Sequence, residues 1–309
     1  MSKAVFLFSG QGSQYVGMGK DLADKFASAK AVFDEASGVL GFDLLEKCVS
    51  ADAAELSRTE ISQPAIMAVS LAAFAAVSEK GAVSCAMAGH SLGEYAALVA
   101  SGMLGIADGF RLIKARAAAM QKASENSSGA MYAVLGKDIG QIRTVCEQTE
   151  GYVVPVNYNS SAQTVIAGET EAAEAAAAKF AELGIRCKKL NVSSAFHSKL
   201  MQPAADEFYG AIKDIAFNKP TVPVYSNISG GILDDFSDIP SRLAAHMVSP
   251  VRFTDELFAM QKAGIDTYIE LGPGKVLTGL VKKTLSDVSM FNVEDSAGVE
   301  KLSEAVSSL

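Results

Sequence analysis

An α/β fold, with a short parallel sheet in a larger domain and a smaller inserted unit, is predicted by three features of the sequence. Ala4-Val5-Phe6-Leu7-Phe8 and Val83-Ser84-Cys85-Ala86-Met87-Ala88 are apolar runs without alternation, as strands of a parallel sheet covered on both faces require. Between them, from Asp21 to Val77, Ala, Leu, Phe and Glu recur at helical spacing, with turn signals at Gly38, Gly41 and Asp43. Beyond the composition break Asn126-Ser127-Ser128-Gly129 the order becomes strand, helix, strand, strand, helix, strand.

Taken in order, Ala4–Phe8 ends at a glycine-rich loop from Ser9 to Gly19. That loop fails the Walker pattern, because Lys20 is followed by Asp21 and position 14 is glutamine, and it fails the dinucleotide pattern because position 15 is tyrosine. Gly272-Pro273-Gly274-Lys275 fails the same test. Thr59 to Pro64 reads as a helix start, with Ser62 as cap and Pro64 in the first turn. The run Val83–Ala88 feeds Gly89-His90-Ser91-Leu92-Gly93. A helix follows from Glu94 to Ser101, breaks at Gly102 to Gly105, and gives way to an amphipathic helix from Asp108 to Ser124 bearing Arg111, Lys114 and Arg116. Strands Ala130–Leu135, Tyr152–Asn157, Thr164–Ala167 and Ile185–Val192, with helices Asp138–Glu147 and Glu171–Leu183, make the βαββαβ order of a ferredoxin-like subdomain. The larger pattern resumes with strands Pro223–Ser226 and Thr267–Leu271 and helices Lys199–Ile212, Ile239–His246, Asp255–Ala263 and Lys275–Leu285. Residues 1–126 and 197–309 are therefore read as one large α/β domain, interrupted by a ferredoxin-like subdomain of residues 127–196.

Bulk properties narrow the function classes. A chain of 309 residues, 49% hydrophobic and 20% charged, has ample material for a large core and no bias toward disorder. Its net charge of −8, without any long Lys/Arg run, argues against a nucleic-acid binder and against docking on anionic membrane. The four cysteines, Cys48, Cys85, Cys146 and Cys187, are widely spaced and read as reduced, buried thiols. Ala4 to Phe8 is too short for a signal-peptide core, and the apolar stretch Pro64 to Val77 is too short to span a bilayer. A cytoplasmic protein is expected.

Gly89 to Gly93 carries the chemistry. Strand, tight turn and helix in that order make a nucleophile elbow of the α/β-hydrolase-like kind, with Ser91 on a strained turn and backbone N–H groups at the helix start aimed at a developing oxyanion. A serine hydroxyl needs a base, most often histidine, and the chain has three. His90 neighbours Ser91 and reads as a packed elbow residue whose side chain points away. His246 ends a helix, where the helix dipole alone favours a histidine. His197, in Ser193-Ser194-Ala195-Phe196-His197-Ser198, lies on a polar loop at the seam between the subdomain and the next helix, and is the candidate base. No acidic residue stands out to orient its ring, so a backbone carbonyl and a carboxylate both remain open.

Phe8-Ser9-Gly10-Gln11-Gly12-Ser13-Gln14, Gly89-His90-Ser91-Leu92-Gly93-Glu94-Tyr95, Arg116, Asn159-Ser160 with Gln163, and Ala195-Phe196-His197-Ser198 together resemble the malonyl-CoA:acyl-carrier-protein transacylases, over essentially the whole chain. The resemblance implies that Ser91 is acylated, that His197 is its base, and that the backbone N–H groups of Gln11 and Leu92 form the oxyanion hole. It implies that Arg116 holds the malonyl carboxylate, which suits a guanidinium fork better than a lysine. Gln63 resembles a glutamine lining the same pocket, and Asn159 falls in a matching motif. The segment Ser249-Pro250-Val251-Arg252-Phe253 resembles the one whose backbone carbonyl orients the histidine, with Arg252 where some relatives have glutamine. Phe196, next to the base, is expected to crowd a 2-methyl branch on the acyl group.

Malonyl-CoA and an acyl carrier protein are the implied partners. Neither a metal nor a redox cofactor is implied, since coenzyme A thioester and carrier-borne phosphopantetheine are substrates. Carriers are acidic, so docking requires a local basic patch, for which Arg186, Lys188, Lys189, Lys199 and the pair Lys282-Lys283 are candidates. A monomer is expected. Supply of extender units for fatty-acid synthesis is the leading reading, with a polyketide acyltransferase, a serine thioesterase or hydrolase, and a non-catalytic carrier-binding module as alternatives.

Overall fold

The computed structural model of the chain describes residues 3–307 apart from Ser127, Lys137 and Ser193. Ser127, the first residue of the expected insertion, and Ser193, ahead of His197, thus lie outside the described residues. The described strands are β1 (Ala4–Phe8), β2 (Ala86–Gly89), β3 (Gly129–Leu135), β4 (Val153–Ser160), β5 (Gln163–Glu169), β6 (Arg186–Lys189), β7 (Tyr225–Ser226), β8 (Gly231–Ile232), β9 (Thr267–Leu271) and β10 (Ser289–Val293).

The order β10-β9-β1-β2 forms an all-parallel sheet. Every residue of β9 and β2, and Val5 to Phe8 of β1, is buried, because helices cover both faces. β10 escaped the sequence reading for a physical reason. As an edge strand its Ser289-Met290-Phe291-Asn292-Val293 is mostly half-buried and lacks a continuous apolar run. The terminal helix Ser296–Ser307 behind it was likewise not anticipated.

Five helices lie between β1 and β2, and the last, Thr59–Glu79, runs through the core. Its start differs from the expected one. Arg58 is the cap residue, so Ser62 falls inside the helix with its hydroxyl buried and without a partner among the described residues, and Pro64 sits in the second turn. At 21 residues the helix is longer than its apolar run suggests and is long and apolar enough to cross a membrane, yet 83% of its most apolar 18-residue window is buried inside the protein. It is a core helix.

Residues 129–189 form a separate antiparallel sheet in the order β4-β5-β3-β6, the strand order of a ferredoxin-like unit. Helices Ile139–Glu147 and Thr170–Glu182 pack on one face through Ile142, Val145, Ala173, Ala176 and Phe180. The sheet is stitched to the segment before helix Phe253–Lys262, since Tyr158 N–H donates to Val251 O at 2.8 Å and Val251 N–H to Val156 O at 2.8 Å. That stitch holds Ser249 beside the loop that leaves β6 toward His197.

The glycine turn after β9 is occupied by the protein itself. Glu270 accepts from the N–H groups of Leu277 and Thr278 at 3.0 and 2.7 Å, filling the start of helix Val276–Thr284 where a phosphate would otherwise sit. The cysteines are all free thiols, with Cys48 and Cys146 buried and Cys187 partly so. Cys85 departs from expectation and is exposed, because it precedes β2 rather than lying within it.

Candidate active site

β2 turns directly into helix Leu92–Ala100 at Ser91, whose φ of 52° and ψ of −106° put a non-glycine residue in a strained conformation. The flanking glycines are there because no side chain fits. A Cβ on Gly89 would lie 2.0 Å from the carbonyl carbon of Gly93, and one on Gly93 would lie 2.0 Å from Phe8 O. Gly10 of the first loop is equally close, its Cβ position being 2.6 Å from His90 O, so the loop bearing Gln11 is pressed against the elbow.

Ser91 Oγ lies 2.7 Å from His197 Nε2. On the other side of the ring, Nδ1 lies 3.1 Å from His246 O and 3.2 Å from Ser249 O. Two carbonyls can only accept, so Nδ1 carries the proton and Nε2 is free to take one from the serine. The orienting groups are therefore backbone carbonyls, which resolves the alternative left open by the sequence. Burial, and then the Arg116 charge, push the His197 imidazolium down to about 3, so the ring is neutral and ready to act as base.

His246 is not the helix-end cation that its position suggests. It is fully buried, stacked on Tyr95 at 5.9 Å, and burial holds its pKa well below the usual value, so its neutral ring and its carbonyl serve the site instead. His90 also departs from expectation. Its ring packs edge-on to Phe253, but its Nε2 meets Asn159 Oδ1 at 2.7 Å and it lines the cleft beside Ser91.

Arg116 rises from helix Ile106–Asn126 and is only 1% exposed. Its Nη2 donates to Ser91 Oγ at 3.3 Å, its Nη1 donates to Gln63 Oε1 at 2.7 Å, and the guanidinium lies over the Tyr95 ring at 4.9 Å. These partners are neutral, and Nε meets none among the described residues. Gln63, fully buried on helix Thr59–Glu79, is held in turn by Met120 Sδ, 3.2 Å from its amide nitrogen. Sequence reasoning missed Met120, although its place four residues after Arg116 on one helix face was an available signal.

The cleft at Ser91 has a volume of about 550 Å³. Gln11, Asn159, Phe196 and His197 line it with Ser91, and Met131, Leu190, Val192 and Leu280 give it an apolar wall. Leu92 opens the elbow helix, and its N–H meets no acceptor among the described residues, whereas Ser91 N–H is taken by Asn227 Oδ1 at 2.7 Å. Arg252 is not brought to the site. Its side chain is half-exposed and pairs with Asp255, and it lines a different depression, so only the backbone of its segment, at Ser249 O, reaches His197. Of the basic candidates, exposed Lys188 lines the cleft, Lys189 pairs with Glu174, and Lys199 lies over the Tyr152 ring at 4.1 Å. Asn227 was also missed, since Ser226-Asn227-Ile228-Ser229-Gly230 reads as a plain turn.

Comparison with known proteins agrees with this geometry. Residues 5–305 match the acyl transferase domain family. The chain is 39% identical over 304 residues to the malonyl CoA-acyl carrier protein transacylase of Bacillus subtilis, covering 97% of this chain and 96% of that protein. It is 41% identical over 293 residues to the Escherichia coli K12 protein of the same description, covering 94% and 95%. The crystal structure of the Clostridium perfringens transacylase superposes with a TM-score of 0.95 at 39% identity, covering 99% of this chain and 98% of that one. The chain belongs to the acyl transferase family, in its branch of malonyl CoA-acyl carrier protein transacylases.

Proposed function

We propose that this chain moves the malonyl group of malonyl-CoA onto the phosphopantetheine thiol of acyl carrier protein by way of a malonyl ester on Ser91, supplying extender units for fatty-acid synthesis. The observation that carries this reading is Arg116, a buried cation beside Ser91 whose contacts are all to neutral groups. A buried charge in direct contact with no carboxylate among the described residues is costly, and a carboxylate at the end of a short acyl group is the partner that relieves it.

In the first half-reaction Ser91 Oγ gives its proton to His197 Nε2 and attacks the thioester carbonyl. The N–H groups of Gln11 and Leu92 face the oxyanion. The C–S bond then breaks, and the coenzyme A sulfur leaves with the proton returned from Nε2. In the second half the carrier thiol gives its proton to Nε2, its sulfur forms the new thioester bond, and Ser91 Oγ leaves and recovers the proton. His246 O and Ser249 O hold the ring while Nδ1 keeps its hydrogen throughout. A carboxylate bound at Arg116 offsets the second-largest of the effects that weaken His197, after burial, so the malonyl substrate strengthens its own base. Nucleophile, base and oxyanion donors are all supplied by the chain, so we assign no metal or redox cofactor, and we place the reaction in the cytoplasm.

Pairing the purified protein with malonyl-CoA, acetyl-CoA and carriers from fatty-acid and polyketide systems tests the reading. Preferred transfer of malonyl to a fatty-acid carrier is expected. Release of free malonate without a carrier would make the protein a hydrolase, and preference for a polyketide carrier would move it to that pathway.

A further inference from the structure

Asn227 follows the short strand β7, is fully buried, and takes no part in the proton transfers described above. Its side chain nevertheless makes every hydrogen bond an amide can make. Nδ2 donates to Gly89 O at 2.7 Å and to Glu256 Oε1 at 2.6 Å, while Oδ1 accepts from Ser91 N–H at 2.7 Å and from His246 Nε2 at 3.2 Å. The amide has one possible orientation. Turned over, it would set its hydrogens against Ser91 N–H and its oxygen against the Gly89 carbonyl. Its backbone is fixed as well, with the N–H donating to Glu94 Oε2 at 2.8 Å and the carbonyl accepting from Arg252 N–H at 2.9 Å.

These partners come from the end of β2, the elbow helix, the end of helix Ile239–His246, and helix Phe253–Lys262. They meet behind the reacting pair. Ser91 is held directly at its N–H, and His197 is held through His246, whose ring bonds Asn227 and whose carbonyl accepts from Nδ1. Because Oδ1 consumes Ser91 N–H, that amide is unavailable to an oxyanion, and the next one, of Leu92, is left to serve. His246 Nδ1 has no partner among the described residues, as expected of a neutral ring whose proton sits on Nε2.

From this geometry we propose that Asn227 is the positioning residue of the acyl transfer, a single amide that sets the separation of Ser91 and His197 and selects which backbone N–H faces the oxyanion. Glu256, buried and accepting from Nδ2, keeps that amide oriented. Arg116 and Gln63 do not touch Asn227, so binding of the malonyl carboxylate is independent of it.

The proposal rests on the malonyl-transfer reading, and the test separates the two. Single-turnover acylation of Ser91 is followed by intact-protein mass spectrometry at varied malonyl-CoA, and in parallel with p-nitrophenyl acetate, which carries no carboxylate. Asn227→Ala is expected to lower the rate constant with both donors by ~10²-fold, the scale of a misplaced reacting pair, with half-saturating malonyl-CoA within about threefold of wild type. A reduced amplitude with an unchanged rate constant would mean a merely structural residue, and affinity falling in step with rate would mean a substrate contact. Either result overturns the proposal. If Asn227→Ala does not fold, Glu256→Gln, which keeps an acceptor for Nδ2, is compared with Glu256→Met, which has none. The methionine variant is expected to be at least about fivefold slower than the glutamine variant, and equal rates overturn the proposal. Wild type that is acetylated but takes no malonyl group would defeat the malonyl reading while still testing the anchor with the acetyl donor.

Discussion

Arg116 brings a full positive charge to hydrogen-bond distance from Ser91 Oγ while its own direct contacts are neutral, and we propose that this imbalance selects the acyl group. Arg116→Ala is expected to slow malonyl transfer by ~10²-fold or more and acetyl transfer by less than ~10-fold, in a paired assay, since a guanidinium–carboxylate bond is available only to the first. Equal losses would make Arg116 structural. The same residue shapes the pH profile. Burial first, and the Arg116 charge second, hold the free-enzyme His197 at about 3 instead of the ordinary 6.5, so kcat/KM for malonyl-CoA should show no acid limb near 6.5. In kcat the limb should move upward, because bound malonate cancels the Arg116 contribution and favours the protonated ring. A free-enzyme limb at 6.5 would contradict the buried neutral base. Phe196, buried and lining the cleft directly before the base, is expected to make methylmalonyl a slower donor than malonyl and Phe196→Ala to narrow the gap, with comparable wild-type rates removing that role. Ser91 and His197 were legible in the sequence because an elbow is a local pattern and three histidines leave few bases to choose from. Arg116 was legible only through the family resemblance, since an arginine on an amphipathic helix otherwise reads as solvated. Met120 offered only its spacing four residues after Arg116 and Asn227 offered nothing local, because what they do depends on atoms 57 and 136 residues away, at Gln63 and Ser91.

At the scale of elements, two glycines predict opposite outcomes. Gly93→Ala forces a Cβ to within 2.0 Å of Phe8 O, backbone against backbone, and is expected to cost at least about 3 kcal/mol, read as a lower melting temperature. Gly38 lies inside helix Ala27–Leu40 with nothing within 4 Å of its Cβ position, and Gly38→Ala is expected to gain about 0.5–1 kcal/mol. Gly93→Ala with unchanged or raised stability would show that the elbow is not tightly packed, and a destabilising Gly38→Ala would contradict the open space at that helix position. Glu94, on the elbow helix, is 2% exposed, and burial raises its carboxyl to about 7 from the usual 4.5. Charging it therefore costs the folded state nothing below 4.5 and progressively more as pH rises through 7. Melting of Glu94→Gln relative to wild type should accordingly improve from pH ~5 to pH ~8, and a pH-independent difference would refute the buried, raised carboxyl. Most elements could be read from the sequence because continuous apolar runs mark the buried parallel strands. Among the exceptions, β10 is a half-buried edge followed by the unanticipated helix Ser296–Ser307, and the start of helix Thr59–Glu79 was misplaced because Ser62 and Pro64 imitate a cap that the core-packed first turn does not need.

For the whole molecule, a net charge of −8 gives no overall attraction to an acidic carrier, so we propose that docking uses local basic groups at the cleft, where exposed Lys188 sits. Lys188→Glu is expected to raise KM for the carrier several-fold, about 1 kcal/mol of lost attraction, and by more than it slows acylation by malonyl-CoA, and an unchanged carrier KM would place docking elsewhere. The two-sheet architecture was legible because the βαββαβ order is distinctive in sequence. Its function was not, since the stitch of Tyr158 and Val156 to Val251, which brings Ser249 O to His197, is a contact between distant segments. Both sheets, the elbow and the arginine converge on one central claim, that Ser91 carries the malonyl group between donor and carrier. Intact-protein mass spectrometry after mixing with malonyl-CoA alone tests it most directly. A single malonyl adduct, absent in Ser91→Ala and discharged by added carrier protein, is the predicted result; no adduct, or one that persists in Ser91→Ala, would contradict it.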